Sequence, residues 1–502
     1  MRFLNSLRNS VLAFAGQIIT ILFGFAVRWV FIHNLGQEYL GVNSVMESIL
    51  MLLSMTELGF GTSVAFALYK PVDKDDKKKI GALMGYYRRV YHVIGVLTAV
   101  LGIFLVPFMR FFIKDASTVS DINLIYMMFL TNTVLSYFFS YKRTLLSAYQ
   151  KHYITTVYED LFAIVKYILQ AAVLVLLKNY VLFLAINLIC GVAANIAISV
   201  KCDRLYPEIK RFNKEKLTPE DKSLLKKSVI SLMYQKIGGK LVTGTDNLMI
   251  SYVNIALMGV YSNYSLVIGI IERVIENVVK SIKGSFGNLM VQKDSSHKYS
   301  VYEEFVFLSF CCFFFISAVL SGCLERFIGL LAGKDWILNP LVTFAVVLNF
   351  YLQGTRHANI AVIDSAGLFN KLRPKAVFEV LVNLVVSFVF LIVLDMGIYG
   401  VLFGTTVSKI GVCIWWEAWA VHKYAFSASF GRYTLKYLGN LLVASAGCFA
   451  SYFLSARVAY DGIGGLFLTG IISACVSVAI ILCVYCRSGE LRRLISRFIK
   501  KA

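Results

Sequence analysis

Six cations, Arg28, Lys166, Lys236, Lys240, Arg273 and Lys409, stand inside apolar stretches of this chain. Lys236 and Lys240 are four positions apart, so on a helix they share one face, and no acid lies within a turn of either. At 1.5 Å per residue they sit about 13 and 20 Å beyond Lys227, deep in the run 228–252. Arg273 lies within another apolar run, beside Glu272 and three residues before Glu276, and Arg28 stands far along the first. A charge at the centre of a membrane helix costs about 2.5–3.5 kcal/mol on insertion scales, so it needs a cavity, a partner or a route to the surface. Cations gathered on a watery cavity would hold a diphosphate, arginine in bidentate fashion and lysine as a point charge. Plainer readings stand beside this one. Arg273 would pair with Glu276, Arg28 would snorkel to the outer surface, and Lys166 and Lys409, nearer helix ends, would snorkel too.

Two acids share the apolar setting. Glu57 opens the stretch Glu57-Leu58-Gly59-Phe60-Gly61-Thr62-Ser63, in which Gly59 and Gly61 either let a helix bend or let a neighbouring backbone approach. Asp246 lies near the outer end of its run and serves either as an ion-coupling carboxylate or as a cap. Gly354, Gly367, Gly400 and Gly404 interrupt later runs in the same way.

The elements that must carry these residues are membrane helices. Of 502 residues 58% are hydrophobic and 16% charged, with mean hydropathy +0.70, too apolar for a soluble domain. Apolar runs fall at about 10–33, 39–69, 85–112, 122–141, 157–177, 180–201, 228–252, 257–282, 302–323, 338–355, 376–394, 397–420, 433–456 and 464–486. About twenty apolar residues cross a hydrocarbon core of about 30 Å. The expected fold is therefore all-α, a polytopic membrane protein of about 14 helices. With both termini in the cytoplasm, most of the 50 lysines and arginines fall in inside loops. Arg110, Lys114, Lys178, Arg326, Lys334 and Arg457 fall outside. The net charge of +21 is thus mainly a topology signal, and no segment is long enough to form a basic face for nucleic acid. The basic amphipathic tail Arg492 to Lys501 reads as a surface helix held by anionic lipid.

An internal repeat is visible. Arg28 precedes Gly41-Val42-Asn43-Ser44 by thirteen positions, and Asp246 precedes Gly259-Val260-Tyr261-Ser262 by the same spacing. Six helices separate the copies, so they share one orientation and imply parallel halves. The expected organisation is a first lobe at 1–201, a cytoplasmic linker at 202–227, a second lobe at 228–424, and two last helices with the basic tail at 425–502.

Several chemistries lack their residues. The six histidines are scattered without metal-ligand spacing, and no phosphate-binding G-x-x-x-x-G-K-[ST] occurs. The ten cysteines lie mostly in apolar runs and read as small buried hydrophobes, and Cys483 and Cys486 lack a second pair. Asp73, Lys74 and Asp75 read as a solvated loop. No enzyme, metal or cofactor is expected.

The stretch ELGFGTSVAFALYKP (57–71) with the following DDKKKIGALM, together with TDNLMIS (245–251), GVYSNYSLVI (259–268), the Gly-Asn pair 287–288 and GLFNKLRPK (367–375), resembles the polysaccharide transporter family. These are Wzx-type flippases of capsule, O-antigen and exopolysaccharide, in one superfamily with lipid II flippases and multidrug and toxin extruders. The resemblance runs from about 10 to 440. It implies two six-helix lobes around a cationic cavity, and alternating access for an undecaprenyl-diphosphate oligosaccharide in a bacterial plasma membrane. The expected diphosphate site is Arg28, Lys236, Lys240 and Arg273, with Glu57 or Asp246 coupling to a proton or sodium ion. Partners would be membrane lipids and polysaccharide-assembly enzymes. The rival in the same superfamily is a drug or small-molecule exporter, whose cavity should be acidic. A membrane polymerase or glycosyltransferase should carry a large outside loop, and the longest here is about Leu324 to Pro340.

Overall fold

The computed structural model describes residues 2–57, 59–113, 119–212, 214–290 and 295–493. Among them there is no strand, and the chain is an all-helical, multi-pass membrane protein. Its long helices are α1 (Arg2–Leu53), α2 (Phe60–Asp73), α3 (Lys77–Leu105), α4 (Ile122–Ala148), α5 (His152–Leu177), α6 (Tyr180–Leu205) and α7 (Pro219–Val253). They continue with α8 (Ile255–Met290), α9 (Ser295–Ala332), α10 (Pro340–Thr355), α11 (His357–Ala366), α12 (Arg373–Phe388), α13 (Ile398–Ser408), α14 (Phe430–Ala456) and α15 (Gly462–Tyr485). After α13 the helix runs on through two π-helical stretches to Phe426. The Gly-Asn pair 287–288 lies at the end of α8, and the tail beyond Arg493 lies outside the described residues.

Eleven of these stretches are long and apolar enough to cross a membrane, and the fourteen expected passages follow once the exceptions are read physically. Gly16–Leu53 holds the first passage and the start of the second, joined at a kink at Gly36 (φ 83°, ψ −167°). The second passage then breaks: a 3-10 turn at Ser54–Glu57 leads to Gly59 at φ 90°, and α2 restarts at Phe60. Such a φ is open to glycine at little cost. The seventh passage, α7, carries Lys236, Lys240 and Asp246, and the tenth divides at Arg356 into α10 and α11. The passages that are shorter or less apolar than the rest are the ones with charges or breaks.

Contacts divide the chain into residues 1–259 and 260–502. In the first unit α1 packs on α5 and α7, α3 on α4, α4 on α6, and α2 on α4 and α7. The core there includes Leu68, Ile80, Leu83, Tyr87, Tyr91 and Leu146. In the second unit α9 packs on α10, α14 and α15, and α12 on α13. By contact α7 therefore groups with the helices before it, whereas the sequence places a lobe boundary at 202–227. Packing supplies the reason: a side chain at Gly59 would stand 2.8 Å from the Val229 carbonyl oxygen and 3.1 Å from Leu232 Cβ, so the break in the second passage seats directly on α7.

The repeat reappears as geometry. A side chain at Gly41 would collide with the Ile255 carbonyl, and one at Gly259 with the Gln37 carbonyl. Gln37 and Ile255 are separated by the same number of positions as Gly41 and Gly259, and as Arg28 and Asp246. The two copies thus meet each other reciprocally at the helix starts that follow the first and seventh passages.

Candidate functional site

The break in the second passage is held by hydroxyls. The Tyr91 hydroxyl donates to Glu57 Oε1 at 2.5 Å, and Tyr137 reaches both Ser54 and Glu57. Two residues past Gly59, a side chain on Gly61 would meet the Tyr87 hydroxyl at 3.1 Å and that of Tyr91 at 3.5 Å. Glu57 is therefore tied to α3 and α4 at the point where the helix is discontinuous. Thr62, one turn into α2, accepts from Lys236 Nζ at 3.3 Å across 174 positions of sequence. Lys236 and Lys240 are both exposed, with Lys240 free of hydrogen bonds and ion pairs among the described residues. Asp246, farther along α7, is buried, and its neighbour Asn247 donates to Ser48 Oγ at 3.0 Å.

Arg28 belongs to a different group of the same unit. Glu47 accepts from Asn43 Nδ2 at 2.9 Å, and the Tyr180 hydroxyl donates to Asn43 Oδ1 at 3.3 Å. Arg28 and Lys166 both interact electrostatically with Glu47. Lys166 Nζ also stands 4.7 Å over the Tyr167 ring. Arg28, Lys166 and Glu47 thus form a mixed-charge group drawn from three passages. Glu47, eight residues inside the run 39–69, was passed over in the sequence.

Arg273 sits in the second unit. It is exposed, and its Nε donates back to the Gly269 carbonyl at 3.1 Å instead of pairing with Glu276. Glu272 interacts with Lys409 and Glu276, and Lys409 Nζ donates to the Asn349 carbonyl at 3.0 Å. Lys409 accordingly does not snorkel; a carbonyl inside the bundle holds it. Of the expected cavity residues, the structure brings Lys236 to the 57–63 stretch, groups Arg28 with Glu47 and Lys166, and places Arg273 in the second unit.

The largest surprise lies among residues assigned to an inside loop. Arg356 donates through Nε and Nη2 to the two oxygens of Glu417 at 2.9 and 2.6 Å. Lys375 Nζ reaches Glu379 at 2.7 Å and Glu417 at 2.8 Å, and Gln353 accepts from Arg356 Nη1 at 2.7 Å. All four ionic side chains are buried. Arg356 and Lys375 are therefore not solvated topology charges. The legible signals were Glu379 four residues after Lys375, and Glu417 alone in an apolar run.

At the end of α7 that faces the basic loops, Lys79 Nζ binds Asp221 at 2.9 Å, and the Thr218 side chain caps the helix by accepting from Asp221 N at 3.1 Å. The hydrogen bond from Lys79 holds the Asp221 carboxyl below its ordinary range. Nearer the last helix, Lys436 binds Glu490 at 2.7 Å, and Arg493, at the start of the expected tail, reaches Glu304 at 3.6 Å.

With this geometry in hand, comparison with solved structures assigns the fold. A MATE family multidrug resistance transporter of the MOP superfamily, in an inward-facing conformation, superposes at TM-score 0.64 with 11% identity, over 82% of this chain and 97% of that one. The lipid II flippase MurJ, in an inward closed conformation, gives TM-score 0.64 and 14% identity over 97% of this chain and 99% of that one. A MOP superfamily transporter from Pyrococcus furiosus, described as having a binding pocket of reversed polarity, gives 0.58 and 12% over 84% and 95%. The chain has the fold of MOP superfamily transporters. No family model and no curated protein sequence matches it.

Proposed function

We propose that this protein is a flippase that moves an undecaprenyl-diphosphate-linked oligosaccharide from the inner to the outer leaflet of a bacterial plasma membrane, for capsule, exopolysaccharide or O-antigen assembly. The observation that carries the reading is the pair of exposed lysines on one face of α7, Lys236 against Thr62 and Lys240 one turn on. Exposed ammonium groups in an apolar helix favour an anionic head group over an organic cation. The MurJ-like fold across nearly the whole chain supports a lipid-linked cargo, and the motifs from 57–71 to 367–375 support the Wzx-type reading.

In this reading Lys236, Lys240 and Arg28 attract the diphosphate by charge-assisted hydrogen bonds, and the polyprenyl tail stays in lipid. No bond is broken. A diphosphate with two charges moving outward gains about 2.3 kcal/mol per charge for each 100 mV of inside-negative potential. Voltage alone would then drive net transfer, and Glu57 or Asp246 would serve an exchanged ion if one is used. The drug-exporter alternative draws on the MATE-like fold and on Glu47, Glu272 and Glu276. The test is genetic: deletion should trap the lipid-linked oligosaccharide on the inner leaflet, and Lys236→Gln with Lys240→Gln should fail to rescue at normal protein level. Full rescue by that double variant would reject the site, and free outward passage of the lipid in the deletion strain would reject the function.

A further inference from the structure

We infer that Thr62 is a positioning residue that couples the head-group site to the break in the second passage; this rests on reading Lys236 as a head-group cation. Three observations converge on a short piece of structure. The Thr62 hydroxyl is the acceptor for Lys236 Nζ at 3.3 Å. Thr62 lies only three residues beyond Gly59, where the backbone takes φ 90° and the helix restarts. Gly59 itself seats on Val229 and Leu232 of α7, less than two turns before Lys236 on the same helix. The lysine and the break are thus joined twice, once by backbone packing and once by a hydrogen bond.

The packed contact is close, since a side chain added at Gly59 would stand 2.8 Å from the Val229 carbonyl oxygen. The hydrogen bond is exchangeable. A threonine hydroxyl is a neutral acceptor, and a diphosphate oxygen is a charged one, so an arriving head group outcompetes it for the ammonium. Drawing Lys236 toward the anion frees Thr62. The Tyr91 hydrogen bond to Glu57 on the opposite side is untouched by this exchange. The second passage is therefore clamped at Glu57 toward α3 and α4 and at Thr62 toward α7, and cargo loosens the α7 side alone. Head-group occupancy becomes a change in the mechanical restraint on Gly59, the glycine between the two clamps that holds φ 90° and whose backbone tolerates both bent and straight forms. The motif spacing acquires a reason: the acid, the glycine and the hydroxyl must fall within two turns for the clamps to flank the break.

The experiment is hydrogen–deuterium exchange of full-length protein in lipid nanodiscs, followed over residues 54–63 with and without inorganic pyrophosphate, alongside pyrophosphate binding by calorimetry. Wild type is expected to exchange faster in this segment when pyrophosphate is bound. Thr62→Val should bind pyrophosphate within about threefold of wild type, since one neutral hydrogen bond is at stake, yet show fast exchange with no further response. Thr62→Ser, which keeps the hydroxyl, should restore the response and shows that loss in the valine variant is not misfolding. Lys236→Gln should weaken binding about tenfold or more. If Thr62→Val keeps the wild-type response, the coupling is wrong while the cation site stands. If Lys236→Gln binds as wild type does, or wild type binds no pyrophosphate, the reading beneath it is wrong.

Discussion

Two charge clusters occupy matching places in the two halves of the chain and are built differently. In the first, Arg143 at the end of α4 that faces the basic loops pairs with Glu159 on α5 and donates through Nη2 to Asn195 Oδ1 on α6 at 2.6 Å. In the second, Arg356 follows α10, Glu379 stands on α12, and Glu417 lies in the helix continuing α13. These are the fourth, fifth and sixth passages of each half: an arginine, a carboxylate and a polar acceptor in the same order. The first cluster keeps side chains 32% and 40% exposed, and the second keeps them at 7%, 8% and 5%. Where the first half has Asn195, the second has Glu417, and Lys375 balances the added charge. The comparison teaches that a similar arrangement of side chains is buried in the second region and left partly exposed in the first. Sealed ion pairs fix geometry because leaving one partner alone is costly, whereas open ones hold weakly and let helices shift.

The largest effect should follow from breaking the sealed cluster. Glu417→Gln leaves Arg356 and Lys375 with one carboxylate between them, and should destabilise the protein by about 3–5 kcal/mol, read as a lower thermal midpoint in nanodiscs. Replacing Arg356, Lys375, Glu379 and Glu417 together with methionine or leucine should cost less than that single change, because no buried charge is stranded. A larger loss in the quadruple variant would mean that the ion pairs carry net stability. Glu159→Gln in the open cluster should cost about 0–1 kcal/mol; a cost equal to that of Glu417→Gln would erase the distinction between the halves.

The smallest effect tests another water-accessible tie of the first unit, Lys79 to Asp221. Because the folded carboxyl is held below its ordinary range, the tie contributes stability above the unfolded Asp value and loses it as pH falls through the lowered folded value. The difference in thermal midpoint between wild type and Asp221→Asn should be present at neutral pH and vanish in acid. A difference that persists below the range where aspartate titrates would assign it to packing instead of charge.

Much of the fold was legible in the sequence because apolar length is a local property. The runs marked the helices, and Gly59 and Gly61 beside an acid marked a place where a helix either bends or admits a neighbouring backbone. The deep lysines were legible for the same reason. Pairings were not. Arg356 and Glu417 are 61 positions apart, and an arginine beside an expected loop reads as a topology charge until its partner is in view. Lys166 escaped in the same way, since it looks like a residue near a helix end when read alone. The link between Lys236 and Thr62 joins two segments that the sequence flagged separately, and only the packing of α2 on α7 brings them together.

Everything functional turns on whether the ammonium groups of α7 meet an anionic cargo. The direct measurement is flipping of an undecaprenyl-diphosphate oligosaccharide in proteoliposomes under an imposed potassium diffusion potential. Wild type should move the lipid toward the positive side faster as the potential rises, and Lys236→Gln with Lys240→Gln should slow transfer about tenfold or more while the protein remains folded. Transfer that ignores both the potential and the loss of the two lysines would contradict the account.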